Sequence, residues 1–226
     1  CALPISIHLL IKKDLFCNVQ FLQKYHLEQH PFCYQSLWNV LYFEVYQNLE
    51  LSITNTKDIL NKKEITLNPE QSQALLSLNH ALTQQIYAPF LLYGITGSGK
   101  TQVYIEITKK VIKSGKQAIV LVPEIALTSQ IVKRFKAEFD SDVVVIHSKL
   151  SISERNDVFT RIRTKDANIV IGARSAVFAP VVDLGIIIMD EEHDMSYKQD
   201  NTPRYHTLSI AKMRAEKNNA KIVLGS

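Results

Sequence analysis

Nothing in the 226 residues approaches the run of about 18 apolar positions that a membrane-spanning helix needs, and the opening residues lack the charged-then-apolar layout of a secretory signal. No membrane partner is expected, and a cytoplasmic setting follows by default. Cysteine is scarce: Cys1, Cys17 and Cys33 all lie near the N-terminus and form no CxxC pair, so neither a disulfide framework nor a four-cysteine zinc site is encoded. They read as free thiols. The histidines contain no HExxH motif, which leaves a metalloprotease-type centre without support. Internal repeats and low-complexity tracts are missing too. The net charge of +4 is mild, and it favours a polyanionic partner only if basic residues gather on one face. What is present is an average globular composition, 46% hydrophobic and 21% charged, enough for one sizeable core or a core with a small appended domain.

The chain begins with Cys1 instead of methionine and stops at Gly225-Ser226, directly after the strand-like run Lys221 to Leu224, so a fragment of a longer protein is expected. Residues 1–65 are rich in aromatic and histidine residues in short apolar clusters, and the polar passage Thr54 to Lys63 reads as a linker or surface hairpin. From residue 66 to 226 apolar runs alternate with amphipathic segments, the pattern of βαβ units. Strands are expected near 90–94, 118–122, 142–146, 168–172, 185–189 and 221–225, with helices near 69–84, 100–114, 125–138, 151–164 and 205–217. The strands are apolar on both faces, so the fold class is α/β, a mostly parallel sheet covered by helices on both sides. Asn68 before Pro69 marks the first helix start.

Two motifs carry chemistry. Gly94-Ile95-Thr96-Gly97-Ser98-Gly99-Lys100-Thr101 fits GxxxxGK[ST] between an apolar run and a helix. Glycines let the backbone fold around phosphates with N–H groups inward, and the helix N-terminus adds a favourable dipole. Lys100 is placed to reach the β- and γ-phosphates of ATP, and the Thr101 hydroxyl to hold Mg2+. Such a pattern arises by chance in roughly 1% of chains this long. The second motif is the buried run Gly185 to Met189 opening into Asp190-Glu191-Glu192-His193. Parallel sheets bind ligands at the carboxyl ends of their strands, so these acids should face the phosphate loop. Asp190 is the candidate for holding the Mg2+ hydration shell and Glu191 for taking the proton of the attacking water. An acidic turn that merely caps a strand is the bland alternative.

With both elements present the chain resembles the DExH helicases of superfamily 2, whose nucleotide-binding lobe is a RecA-like domain. Further segments narrow the likeness: Val122-Pro123-Glu124-Ile125-Ala126-Leu127-Thr128, His147-Ser148 with Leu150-Ser151 and Glu154-Arg155, Val170-Ile171-Gly172 with Arg174-Ser175-Ala176, and Ser196-Tyr197-Lys198-Gln199 with Arg204-Tyr205-His206. In this order the set resembles the replication-restart helicases, the primosomal protein N′ (PriA) family, over about residues 66–226, ending where that family's third motif should continue past Gly225-Ser226.

The resemblance implies an ATP-dependent 3′-to-5′ DNA helicase that acts on single-stranded and forked DNA in a bacterial cytoplasm, associated with the nucleoid, with this chain as its ATP-binding lobe and of little or no turnover alone. Another superfamily 2 enzyme, such as an RNA helicase or restriction-type translocase, and a non-catalytic nucleotide-gated DNA-binding module are the alternatives. It also implies primosome proteins and single-strand-binding protein as partners, and zinc in the full-length family but not in this chain. Gln71 matches the glutamine that reads the adenine edge, with a solvated helix glutamine as the alternative. Pro123, Thr128, Arg174 and Ser175 match segments that touch the nucleic-acid backbone, although a loop break and a helix-start hydroxyl also account for the first two. His193 matches a residue that couples the ATP and DNA sites, against a merely structural histidine. Tyr197, Lys198 and Arg204 fall in a segment that resembles the family's aromatic-rich, DNA-sensing loop, against a surface loop with incidental aromatics. Ala173, Leu208 and Ser209 depart from the family pattern and touch none of the hydrolytic residues. Residues 1–65 occupy the place of the family's DNA-binding and winged-helix-like region.

Overall fold

The computed structural model describes residues 6–9, 67–84, 87–95, 97–128 and 130–226. Apart from residues 6–9, the winged-helix-like region expected over 1–65 lies outside these. The elements in chain order are β1 (Ser6–Leu9), α1 (Pro69–Thr83), β2 (Ala88–Tyr93), α2 (Lys100–Lys113), β3 (Gln117–Leu121), α3 (Gln130–Phe139), β4 (Val143–Ile146), α4 (Ile152–Arg163), β5 (Ile169–Gly172), β6 (Leu184–Met189), β7 (Lys198–Gln199), β8 (Tyr205–His206), α5 (Thr207–Lys217) and β9 (Lys221–Gly225). Short 3₁₀ turns follow β3 at Glu124–Thr128 and β5 at Arg174–Phe178. Among the described residues no helix is long and apolar enough to cross a membrane.

Local chemistry sets the helix starts. At α1 the Asn68 side chain accepts from the Gln71 amide at 2.7 Å, the Gln71 side chain accepts from the Asn68 amide at 3.0 Å, and Pro69 occupies the first helical position, where no N–H is needed. Ser151 and Glu154 repeat the reciprocal cap at α4. Two expected boundaries shift. The helix placed over 125–138 is a 3₁₀ turn followed by α3, and in that turn the Ala126 amide donates to the Pro123 carbonyl, an i→i+3 bond. The helix placed from 205 starts at Thr207 because Tyr205 and His206 pair with Gln199 and Lys198 as a two-stranded ribbon.

The main sheet has strand order β1-β2-β9-β6-β3-β5-β4. All neighbours are parallel except β1, which adds antiparallel to the edge strand β2 and was not expected. Alternate residues divide between two cores, as the period-2 geometry of strands dictates. Ala118, Val120, Ile186, Ile188 and Val223 pack with α1, α2 and α3. Ile119, Leu121, Ile187, Met189, Ile222 and Leu224 pack with α5 and with Phe159 and Ile162 of α4. Cutting a fully buried isoleucine to alanine costs about 2–5 kcal/mol, so the central strands form a stiff platform.

That platform brings five strand ends to one edge. β2 leads into the phosphate loop, β3 into the 124–128 turn, β5 into the 174–178 turn, β6 into Asp190-Glu191, and β9 into Ser226. Because β9 lies between β2 and β6, its end falls between the loop and the acids: the Gly94 amide donates to the Ser226 carbonyl at 3.0 Å and the Glu192 amide to the Gly225 carbonyl at 2.8 Å.

Candidate functional site

The phosphate loop joins the end of β2 to the N-terminus of α2. Gly97 has φ +83° and Gly99 φ +90°, left-handed conformations that side-chained residues adopt at a cost. A Cβ at 99 would also lie 2.2 Å from the Gln71 amide nitrogen, so the glycine leaves room for that side chain beside the loop. The Ser98 amide donates to Ile95 at 3.0 Å, and its hydroxyl is buried without a hydrogen-bond partner. Lys100 is buried at the mouth of the loop; its ammonium donates to the Gly94 carbonyl and, at 3.1 Å, to that of Ser226, with Glu191 4.0 Å away. Ile95 is half exposed, Thr101 half-buried, and Thr96 lies outside the described residues.

The acids sit opposite. Burial is the largest influence on Asp190 and raises its carboxyl above the ordinary value, while a hydrogen bond from the Tyr104 hydroxyl at 3.0 Å and the nearby Lys100 pull it down. The Tyr197 hydroxyl holds the Asp190 carbonyl at 2.7 Å. Glu191 follows at φ +46°, an uncommon conformation for a side-chained residue and one that clusters at functional sites. Its carboxylate lies 3.5 Å from His193 Nε2, and His193 Nδ1 lies 3.4 Å from the Ser226 hydroxyl. His193 thus bridges the acid turn and the end of β9.

These features suit an anionic, metal-bound polyphosphate. A buried lysine, an orphaned buried hydroxyl and two left-handed glycines at a helix N-terminus make an anion cradle, because the first amides of a helix have no intrahelical partner. A half-buried carboxylate across from the cradle is the hard oxygen ligand that Mg2+ prefers.

Gln71 stands beside the phosphate loop, half-buried in the first turn of α1. It is the third residue of α1, its carbonyl oxygen closes the cap and its amide donates to the Ser98 carbonyl at 3.3 Å, so it braces the loop. Of the residues matched to nucleic-acid contacts, Ser175, Lys198 and Arg204 are exposed. Lys198 pairs with Asp200 at 3.0 Å and Arg204 donates to the Asp200 carbonyl at 2.9 Å. Tyr197 requires correction: its ring is fully buried, so it cannot stack on a base, and it serves under Asp190 instead. Pro123 is buried in the strand-to-turn junction. Arg174 is half-buried, and its guanidinium donates to the carbonyls of Ser196 at 3.4 Å and Lys198 at 3.2 Å, tying the β5 turn to the ribbon. The Thr128 side chain lies outside the described residues, as do His26 and His30, which stand four apart.

Sequence reasoning missed Tyr104. Its signal is spacing: it stands four residues after Lys100, one helical turn along the same face of α2.

The parallel sheet with this loop and these acids at its carboxyl edge has the RecA-like α/β fold, and residues 68–226 match the family model of the DEAD/DEAH box helicases. The chain belongs to that family. Among curated proteins it is similar to the replication restart protein PriA of Bacillus subtilis, 45% identical over 81% of this chain and 23% of that protein. PriA of Chlamydia trachomatis is 46% identical over 71% of this chain and 22% of that protein. The chain therefore spans under a quarter of the length of these relatives. Among solved structures the UvsW helicase of bacteriophage T4 aligns at 15% identity with a TM-score of 0.48, over 91% of this chain and 67% of that one.

Proposed function

We propose that this chain is the ATP-binding lobe of a replication-restart DNA helicase, an ATP-dependent 3′-to-5′ motor acting on single-stranded and forked DNA. The observation that carries the reading is the facing of Lys100, at the head of α2, and Glu191, at the end of β6, 4.0 Å apart across the loop mouth. The kinship with PriA points to replication restart, and with it to a cytoplasmic, nucleoid-associated setting with primosome proteins and single-strand-binding protein as partners. Residues 66–226 form the first RecA-like unit in this reading, and residues 1–65 belong to a preceding DNA-binding region.

ATP lies with its phosphates in the 94–101 loop. Lys100 exchanges its contacts with the Gly94 and Ser226 carbonyls for β- and γ-phosphate oxygens, and the Ser98 hydroxyl gains its missing partner. Thr101 and Asp190, the latter through water, would hold Mg2+, whose charge would offset that of the phosphates when bound. Glu191 accepts the proton of the water whose oxygen bonds to the γ-phosphorus as the bond to the β-phosphate oxygen breaks; ADP and phosphate leave. His193, between Glu191 and Ser226, reports the state of that site to the end of β9. Gln71 braces the loop and presents its remaining hydrogen-bonding capacity to adenine.

On the nucleic-acid side, Lys198, Arg204 and Ser175 supply the exposed contacts, Arg174 braces the turn that carries Ser175 against the ribbon, and Pro123 and Thr128 bound the neighbouring turn after β3. The Arg174 tie to the ribbon and the Tyr197 bond to Asp190 join these turns to the nucleotide site.

The test is ATP hydrolysis by the full-length protein with and without forked DNA. The expected result is turnover that rises many-fold with DNA and falls when Lys198 and Arg204 are both changed to alanine. Turnover indifferent to DNA would leave a nucleotidase and refute the motor.

A further inference from the structure

We propose that Tyr104 is the positioning residue for Asp190: its buried hydroxyl fixes one carboxylate oxygen and so leaves the other for the nucleotide-bound cation. The inference rests on the nucleotide-site reading above and adds a residue that the phosphate-loop and acid motifs do not contain.

Three observations meet at this hydroxyl. Tyr104 is completely buried on α2, yet it carries a polar group that phenylalanine would spare the core. The hydroxyl donates to Asp190 Oδ1 at 3.0 Å. The last residue of β9, Gly225, is shaped around the bond: a Cβ there would stand 1.9 Å from the Tyr104 oxygen and 3.0 Å from Asp190 Oδ1. A helix, the end of β6 and the end of β9 are thus built around one hydrogen bond.

The consequence is orientational. The terminal torsion of an aspartate is broad and roughly twofold, so a carboxylate at the end of a strand is not aimed by its backbone alone. Backbone placement of Asp190 is already secured by its amide, which donates to Leu121 at 2.9 Å, and by Tyr197 on its carbonyl. On the carboxylate itself the Tyr104 bond is the largest of the stabilising contacts, ahead of Lys100 and of the Glu191 amide, which comes from the adjoining backbone, so Tyr104 is the side chain that fixes its rotation from outside the turn. A hydrogen bond to a charged acceptor in a buried setting is strong enough to select one orientation at about tenfold or better.

Tyr104→Phe keeps the ring and removes the donor. In the full-length protein, binding of a fluorescent ATP analogue is titrated against Mg2+. The Mg2+ concentration for half-maximal tight binding should rise about tenfold, while affinity in EDTA and the melting temperature stay near the wild type. An unchanged Mg2+ requirement, or equal loss of affinity with and without Mg2+, would overturn the assignment. A wild type that binds nucleotide no better than Lys100→Ala would instead fail the nucleotide-site reading. The packing is tested separately by thermal melts of Gly225→Ala. The alanine should lower the melting temperature by several degrees beside tyrosine and by less in the Tyr104→Phe background; equal losses would contradict the shared contact.

Discussion

Asp190 is held against its own preference. Burial raises its carboxyl above the ordinary aspartate value of 3.8, so the ionised form that a cation needs is disfavoured in the fold by itself. A group whose folded value is raised stabilises the fold only below its unfolded value, and that contribution is lost as pH rises through the folded value. At neutral pH ionised Asp190 therefore costs stability. Asp190→Asn should raise the melting temperature at pH 7 while removing the Mg2+ dependence of nucleotide binding, and its advantage should shrink as the pH is lowered toward 4. A variant that melts below the wild type at pH 7 would show that the carboxylate is not under strain. The neighbouring left-handed Glu191 belongs to the same pattern, in which local stability yields to function.

At the scale of the element, the phosphate loop is fixed from three sides: by Gln71 of α1 on the Ser98 carbonyl, by Ser226 at the end of β9 on the Gly94 amide, and by its own glycines. The opposite edge of the sheet has an equivalent fastening in Gln117, fully buried at the start of β3. Its amide donates to the carbonyls of Ile162 and Ala167 at 2.9 and 3.1 Å, and its oxygen accepts from the amides of Val182 and Asp183 at 2.9 and 3.3 Å. One side chain thereby joins the end of α4 and the approach to β6. Gln117→Leu would remove all four bonds; the Ile162 carbonyl keeps the Lys165 amide at 3.3 Å and Val182 is exposed to water, while each buried group that finds no new partner costs about 1–3 kcal/mol. Urea unfolding should show a loss of about 2 kcal/mol or more; a loss below about 1 kcal/mol would mean that water replaces the amide. The strands were legible in the sequence because each is a short apolar run, and the phosphate loop because its glycines and lysine have no other common use. The β7–β8 ribbon was not, since two-residue strands carry no periodicity. Tyr197 misled for a related reason: composition shows an aromatic among basic residues, but the short 3₁₀ turn Met195–Tyr197 ahead of β7 sets the ring into the core.

For the whole molecule, strand order explains how residues far apart in sequence become one site. Placing β9 between β2 and β6 sets Ser226 beside both Lys100 and His193, 126 and 33 positions away along the chain. The sequence names the members of this constellation, yet their adjacency is a property of the sheet. The most direct test of the account is Glu191→Gln in the full-length protein, with nucleotide binding and single-turnover ATP hydrolysis measured side by side. Removing the base while keeping the side chain's size should leave binding within a few-fold of the wild type and slow the chemical step by about 100-fold or more. Hydrolysis at the wild-type rate would contradict the assignment of Glu191 and, with it, the reading of this edge of the sheet as a hydrolytic site.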